Sequence, residues 1–426
     1  MDFVKSYLQR LFKNQLIAGS FILFIGTAVS NFGNYLFHLL MGRMLGPIDY
    51  GVLASLISIF YLLSIPVAAL VLVIVKYVSA LRGEKKLATV NYFYRWINRK
   101  LLIFGILGFL IFLIFSSWIS SFLHLESNVL LILIGLVSFI GIFSSINLAA
   151  LQGFLRFSWY TIIGIVSVIV KLILAIFLVY LSYRVFGAIL AILAGMIVSY
   201  VLALFYAKKI IGKKEERQGF NGREVVSYAL PVFFSILAFT SLYTTDIVLV
   251  RHFLSPQEAG FYAALATLGK IIFFASSPII MVMFPMVSER HANGKKYINL
   301  LSLSLGLVLL ACLGISGVYF LFPGLMINIL YGSQYLSASP YLWLFAIFLS
   351  LYSLSSLLVN FYLSVKKVKV VILPVIAAAA QVVLIFLFHQ TISQVVWVSI
   401  SVLGLLLVAL LFYFFVTIKI NNLAKI

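Results

Sequence analysis

A single cysteine, Cys312, stands in 426 residues with no partner in the chain, so neither an internal disulfide nor a cysteine metal site can form. Acidic residues are nearly as scarce, ten against thirty Lys and Arg, and charged residues of every kind make up only 9%. A chain so poor in charge cannot cover itself with a solvated surface, for which soluble proteins use about 25% charged residues. Also missing is a phosphate-cradling glycine loop of the P-loop type, which excludes ATP hydrolysis as an energy source. What fills the chain instead is apolar. The hydrophobic fraction is 64% and the mean hydropathy +1.20, against an apolar share of about 45–50% in soluble domains. The chain is therefore expected to be an integral membrane protein.

Its apolar runs are continuous rather than alternating, and each reaches the ~20 residues that a spanning helix needs, which argues for helices and against a β-barrel. The first run, Asn14 to Gly42, is too long for a signal-peptide core and lacks a small-residue cleavage site after it. It is expected to stay as a helix. Ahead of it, Phe3, Val4, Tyr7, Leu8, Leu11 and Phe12 recur at helical spacing among Lys5, Arg10 and Lys13, the pattern of a helix lying on the membrane surface. Cutting at charges and at Gly, Pro, Ser and Asn clusters gives twelve spans near 16–42, 52–78, 101–121, 129–151, 160–181, 187–207, 228–250, 261–287, 298–322, 340–362, 370–389 and 395–418.

The basic residues orient these spans. With the N-terminus inside, all but six of the thirty Lys and Arg fall in inner segments; Arg43, Arg184 and Arg251 lie outside and Lys76, Lys171 and Lys270 within spans. So lopsided a split places both termini in the cytoplasm. The net charge of +20 then reflects membrane orientation and attraction to anionic headgroups, not nucleic-acid binding. The longest inner connection, residues 208–227, carries Lys213-Lys214-Glu215-Glu216-Arg217 and separates an N-terminal half, 1–207, from a C-terminal half, 228–426.

The halves are related. Leu45-Gly46-Pro47-Ile48-Asp49-Tyr50-Gly51-Val52-Leu53-Ala54 returns as Leu254-Ser255-Pro256-Gln257-Glu258-Ala259-Gly260-Phe261-Tyr262-Ala263. Six spans separate the copies, so both fall on the outer side and the repeats are parallel, as in transporters built from two pseudo-symmetric bundles. The expected fold is thus an all-α membrane protein with about twelve transmembrane helices in two six-helix lobes. Within the phrase, Gly and Pro interrupt the helix, Asp49 and Glu258 favour the next N-terminus, and Gly51 and Gly260 permit close approach, all scaffold duties.

The first copy, from Gly42 to Gly51, resembles the signature that follows the first helix of polysaccharide-unit flippases in the multidrug/oligosaccharidyl-lipid/polysaccharide exporter superfamily. Leu151-Gln152-Gly153-Phe154-Leu155-Arg156-Phe157, Lys171-Leu172-Ile173-Leu174-Ala175-Ile176, Asp246-Ile247-Val248-Leu249-Val250 and Tyr331-Gly332-Ser333-Gln334-Tyr335 are similar to further stretches of that family, in order along the chain. The resemblance implies a two-lobed bundle that moves a polyprenyl-pyrophosphate-linked oligosaccharide from the cytoplasmic to the outer leaflet of the cell membrane for surface polysaccharide assembly. The chain lacks the two extra helices typical of the lipid II flippase, and its first helix lacks the acidic residues common in the drug antiporters.

Intramembrane charge marks function, because a lysine at the bilayer centre costs roughly 2.5–3.5 kcal/mol on insertion scales. Lys171 lies ~16 Å from the inner start of its span and Lys270 ~14 Å from the outer start of its own, so both are expected near the midplane and facing a cavity. There they could capture a pyrophosphate by charge-assisted hydrogen bonds. Aligning the halves sets Gln381 opposite Lys171, a polar break in the repeat. Asp246, the one acid inside a span, has three readings: a sodium or proton carboxylate, a neutralising partner for Arg251, Arg43 or Lys270, or a helix-end residue near the headgroups. Arg43 and Arg251, at outer span ends, are candidates for headgroup anchoring or for substrate contact. Asn31, Asn34, Tyr35 and His38 recur at helical spacing in the first span, facing a cavity or bonding to another helix. Lys76 is expected to snorkel, and Pro66, Pro278 and Pro285 to kink their helices.

No catalytic residue, metal site or cofactor is expected, beyond sodium or proton coupling. The outer connections hold only Asp49, Glu126 and Glu258, well dispersed and in short segments, which argues against a membrane glycosyltransferase or polymerase. An ion-coupled exporter of small drugs or metabolites on the same scaffold is the alternative. The expected partners are the lipid-linked sugar, membrane lipids and polysaccharide-assembly proteins, with the chain itself a monomer.

Overall fold

The computed structural model describes residues 15–212 and 222–416. The surface helix expected over Phe3–Lys13, residues 213–221 of the 208–227 connection, and Lys419 and Lys425 lie outside the described residues. Within them the regular structure is entirely helical. In chain order, α1 is Gln15–Gly83, α2 Leu87–Phe122, α3 Val129–Gly153, α4 Phe157–Tyr180, α5 Arg184–Ile210, α6 Gly222–Leu242 and α7 Thr245–Phe253. Then follow α8 Pro256–Ala292, α9 Ile298–Leu321, α10 Pro323–Leu330, a 3-10 segment Ser333–Tyr341, α11 Leu342–Ser364, a 3-10 turn Val368–Val371, α12 Ile372–Leu387 and α13 Ile392–Phe414. Among the described residues ten helices are long and apolar enough to cross a membrane, or eleven when the bent pair Val232–Leu242 and Thr245–Phe253 counts as one span.

One of the ten, α1, carries the first copy of the repeated phrase inside it. Its 69 residues would run ~100 Å at 1.5 Å per residue, more than three bilayer cores, and the helix is interrupted at Gly46, whose φ of 76° and ψ of 174° are far from helical. Pro47 restarts the helix at once, with its fixed φ suited to a first helical position. At the second copy the chain leaves the helical path at Leu254 instead, and Ser255 caps α8. Its hydroxyl accepts from the Glu258 N–H at 3.3 Å while the Glu258 carboxylate accepts from the Ser255 N–H at 3.2 Å, a reciprocal capping box. Gly46 and Ser255 thus solve the same break by different means, and Glu258 serves the N-terminus as expected.

Three segments differ from the sequence expectation. The loop placed between 78 and 101 is largely helical, reduced to the turn Glu84–Lys86 between α1 and α2. Arg95, Arg99 and Lys100 mask an amphipathic helix start, in which Val90, Phe93 and Ile97 pack on Val73, Ile74, Val78, Leu81, Ile146 and Phe154. The span near 228–250 is broken at Tyr243-Thr244 and bends by 41°. The stretch 323–340, read as a turn, forms α10 and a 3-10 segment. By contrast α8 runs through Pro278 and Pro285 as one helix.

The tight connections follow one pattern. After α1, α2, α3, α4, α8 and α11 the chain turns through a left-handed residue, for example Lys85 at φ 60°, Leu155 at 58° and Lys366 at 61°. The next N–H then reaches back to the last helical turn, as in Arg156 N–H to Leu151 C=O at 2.9 Å and Lys367 N–H to Tyr362 C=O at 2.9 Å. This Schellman closure satisfies carbonyls that would otherwise be left open at the helix end.

The helices cluster into two compact units. One holds the residues up to Met44 together with Ile59–Phe233, the other Leu45–Ser58 together with Phe234 onward. The cut falls at Phe233/Phe234, just beyond the 208–227 connection, and residues 45–58, N-terminal by sequence, belong to the second unit. In the first unit α5 packs on α3 and α4. Glycines allow the close approach that helix association in lipid favours: a Cβ at Gly33 would collide with Val168, and one at Gly195 would stand 2.8 Å from the Ser167 carbonyl and 3.1 Å from the Lys171 Cβ. In the second unit α11 is the central helix, buried along most of its length and flanked by α8, α9 and α13.

Candidate functional site

Each unit holds one of the two lysines singled out in the sequence. In the first unit Lys171, midway along α4, donates its ammonium to the Asn34 Oδ1 of α1. The same ammonium lies 4.6 Å from the centroid of the Phe37 ring, within cation–π range. His38 stands edge-on to Phe37 at 5.8 Å. Asn34, Phe37 and His38 share one side of α1 because three- and four-residue steps return to the same helix face. Asn31, a turn earlier, is exposed and makes no hydrogen bond to this group. No carboxylate lies within ion-pairing distance of Lys171 among the described residues. Its charge is therefore held by an amide and an aromatic face, both neutral.

The second unit surrounds its lysine differently. The break at Tyr243-Thr244 separates α6 from α7, and Asp246 sits in the first turn of α7, 1% exposed. Its Oδ1 accepts from the Ile247 N–H at 2.9 Å and its Oδ2 from the Tyr262 hydroxyl at 2.7 Å. Lys270, on α8, lies 5.0 Å from the Tyr243 ring centroid and is attracted to the Asp246 carboxylate. Asp246 thus stands both near the charge of Lys270 and in the first turn of a helix, as two of its three readings require.

Gln381, on α12, is 2% exposed and serves the same break. A continuous helix would bond the Leu242 carbonyl to the N–H four residues on, at Asp246; the bend removes that bond. Gln381 replaces it, donating from Nε2 to the Leu242 carbonyl at 3.2 Å and to the Ser399 hydroxyl at 2.9 Å. Buried backbone groups seldom go without such a partner. Gln381 is thus committed to holding the bend, a different task from that of Lys171 at the aligned position.

The two arginines separate as well. Arg43 is exposed, close before the break at Gly46. Arg251, in the last turn of α7, is only 6% exposed and interacts with the charge of Asp49. Lys76 is exposed beside the Tyr77 ring. A cavity of about 290 Å³ in the first unit is lined by Phe60, Ser64, Ser138, Ser145, Met196 and neighbouring apolar side chains, and none of the predicted residues reaches it. Among the described residues no group of three His, Cys, Asp or Glu is placed to hold a metal ion.

Tyr262, Tyr243 and Phe37 were not anticipated. Tyr262 belongs to the second copy of the phrase, where its surroundings read as turn chemistry, and only its hydrogen bond reveals that it belongs to Asp246. Phe37 sits among other apolar residues and differs from them only in facing an ammonium.

Residues 40–340 match the family model described as polysaccharide biosynthesis protein. No curated protein matches the chain. Among solved structures, an inward-facing multidrug resistance MATE family transporter of the MOP superfamily is similar, with a TM-score of 0.76 at 14% identity, covering 93% of this chain and 96% of that one. The lipid II flippase MurJ, in an inward closed conformation, gives 0.68 at 16% identity over 92% and 87%. A MOP superfamily transporter from Pyrococcus furiosus, described by the reverse polarity of its binding pocket, gives 0.62 at 15% over 94% and 95%. At these identities the likeness speaks for the fold. The chain belongs to the polysaccharide biosynthesis protein family, and it is a multi-pass membrane protein with the helical fold of the MOP superfamily.

Proposed function

We propose that the protein flips a polyprenyl-pyrophosphate-linked oligosaccharide from the cytoplasmic to the outer leaflet of the cell membrane by alternating access. The observation that carries this reading is Lys171, a cation in the middle of a membrane helix held by Asn34 and Phe37 and, among the described residues, by no carboxylate. Such a charge is costly in the bilayer unless an anion visits it. A pyrophosphate suits it, because charge-assisted bonds to phosphate oxygens are strong in a low-dielectric site while the polyprenyl tail stays in the lipid. Family membership supports a role in polysaccharide assembly.

In this reading the arms of α1 on either side of Gly46 are separate spans, which brings the count to twelve, in two six-helix lobes with both termini in the cytoplasm. Lys270 alternates between Asp246 and the pyrophosphate. When substrate draws Lys270 away, Asp246 takes up a proton or a sodium ion, and this exchange links flipping to an ion gradient without a cofactor or a catalytic residue. Arg43 meets headgroups or substrate at the outer surface. The proposed partners are the lipid-linked sugar, membrane lipids and polysaccharide-assembly proteins, with a monomer as the working unit.

The test is delivery of a labelled lipid-linked sugar in reconstituted vesicles. The Lys171→Ala, Lys270→Ala double variant should fold and deliver none. Undiminished delivery by that variant rules the mechanism out. The MATE-like fold supports a second reading, ion-coupled export of a small molecule; delivery of a soluble anion but not of the lipid-linked sugar would favour it.

A further inference from the structure

The perimeter of the first unit carries a feature apart from Lys171. On α4 the exposed side chains Trp159, Ile162 and Ile169 recur at steps that keep to one helix face, and on α5 so do Ile197, Val201 and Phe205. Lys171 comes two residues after Ile169 and so stands on the other side of α4 from this stripe. At the end of both helices that the basic residues assign to the cytoplasm, the two stripes meet in a cation seated on aromatic rings. The Lys209 Nζ lies 4.0 Å from the Phe205 ring centroid and 5.5 Å from that of Tyr206. Tyr206 in turn is stacked on Trp159, with centroids 3.8 Å apart. Arg156, just before α4, and Lys208, next to Lys209, are exposed as well. Among the described residues no carboxylate lies within ion-pairing distance of these three cations.

Ring faces attract an ammonium without consuming its N–H donors. Lys209 is therefore held in place with hydrogen bonds still to give, and a phosphate oxygen is the acceptor that suits it best. The depth of the stripes says what kind of phosphate. From Trp159 to Ile169 the rise is ~15 Å, half of a hydrocarbon core of ~30 Å, so the exposed apolar side chains run the length of one leaflet and the cations begin where they end. A molecule that fits has an anionic head at the inner surface and apolar chains one leaflet long. Zwitterionic headgroups bring a cation of their own, which three basic side chains disfavour.

We propose that α4 and α5 hold an anionic phospholipid of the cytoplasmic leaflet, its headgroup at Lys209, Lys208 and Arg156 against the Trp159–Tyr206 stack and its acyl chains along the two stripes. The bound lipid fixes the inner end of α4, the helix that carries Lys171, at the depth of the headgroups. Lys171 itself lies ~18 Å farther along α4 than Trp159, so this is a separate site from the one proposed for capture.

The experiment is native mass spectrometry of the full chain, freed of co-purified lipid in detergent and titrated with phosphatidylglycerol or with phosphatidylcholine of the same chain length. The parent should bind the first phosphatidylglycerol at least ~tenfold more tightly than phosphatidylcholine. Lys209→Gln should lower that preference about fivefold, the factor expected for one basic side chain at a headgroup, while Lys209→Arg should keep it. Lys295→Gln with Lys296→Gln removes two exposed charges from the turn between α8 and α9 and should leave it unchanged. Circular dichroism should show equal helix content in all four proteins. Equal binding of both lipids by the parent, or as large a loss from the Lys295, Lys296 variant as from Lys209→Gln, would mean diffuse attraction and overturn the site. Tighter binding of a polyprenyl phosphate than of phosphatidylglycerol, lost in Lys209→Gln, would make this a substrate site and overturn the phospholipid assignment. No transport is measured, so failure of the flippase reading would appear only in the vesicle assay, not in this one.

Discussion

Lys171 and Lys270 look alike in the sequence and are set apart by their neighbours. The first is held by an amide oxygen and an aromatic face, the second shares a buried polar network with Asp246, Tyr262 and Tyr243. A cation beside neutral dipoles keeps its charge available for an anionic visitor, whereas a cation beside a carboxylate is already half neutralised. In the proposed mechanism the first unit does the capture and the second the exchange. The difference also explains why the repeat is broken here: Gln381 stands where symmetry would put a second Lys171, because the bend at Tyr243-Thr244 needs a donor for the Leu242 carbonyl.

The comparison can be broken most forcefully at Lys171. Lys171→Ala should lower the initial delivery rate by ~100-fold or more, as expected when a buried charge-assisted contact of ~3 kcal/mol is lost, while Lys171→Arg should recover most of it. Next in size is the acid of the other unit. Asp246→Asn leaves the half-buried Lys270 without its counter-charge and should destabilise the protein by ~3 kcal/mol in thermal unfolding; adding Lys270→Met should restore much of that loss, since removing both partners is far milder than removing one. A double-mutant coupling near zero would show that the two do not act as a pair.

Gln381→Leu should cost ~1–3 kcal/mol, the penalty for leaving the Leu242 carbonyl unsatisfied, with delivery per folded molecule unchanged. Reduced delivery by a fully stable Gln381→Leu would move that residue from scaffold to site. A smaller effect is expected at Asn34→Ala, where Lys171 loses a neutral partner. Apparent substrate affinity should change by less than ~10-fold, and Asn31→Ala, exposed and outside the cluster, should be silent within ~0.5 kcal/mol.

Much of this was legible from residue order. Apolar run length and the breaks at Gly46-Pro47 and Ser255-Pro256 locate the helices, because Gly and Pro act locally on the backbone. Lys171, Lys270 and Asp246 announce themselves because a charge amid aliphatic residues is rare. Partnership was not legible. That Asp246 pairs with Tyr262 depends on the fold of α7 against α8, and that Gln381 mends a helix depends on a bend with no Gly or Pro at Tyr243-Thr244 to signal it. The start of α2 was hidden for the opposite reason, since Arg95, Arg99 and Lys100 read as loop while Val90, Phe93 and Ile97 pack beneath them. The seating of residues 45–58 on the second unit had a trace in sequence, the matched glycines, but glycine permits contact without naming what it touches.

The capture claim is tested most directly by native mass spectrometry of the protein purified from cells that make lipid-linked glycans, comparing the parent chain with Lys171→Ala and Lys171→Arg. The account predicts an adduct with the mass of a polyprenyl-pyrophosphate glycan on the parent and on Lys171→Arg, and its loss from Lys171→Ala. The same adduct at equal occupancy on Lys171→Ala would contradict it.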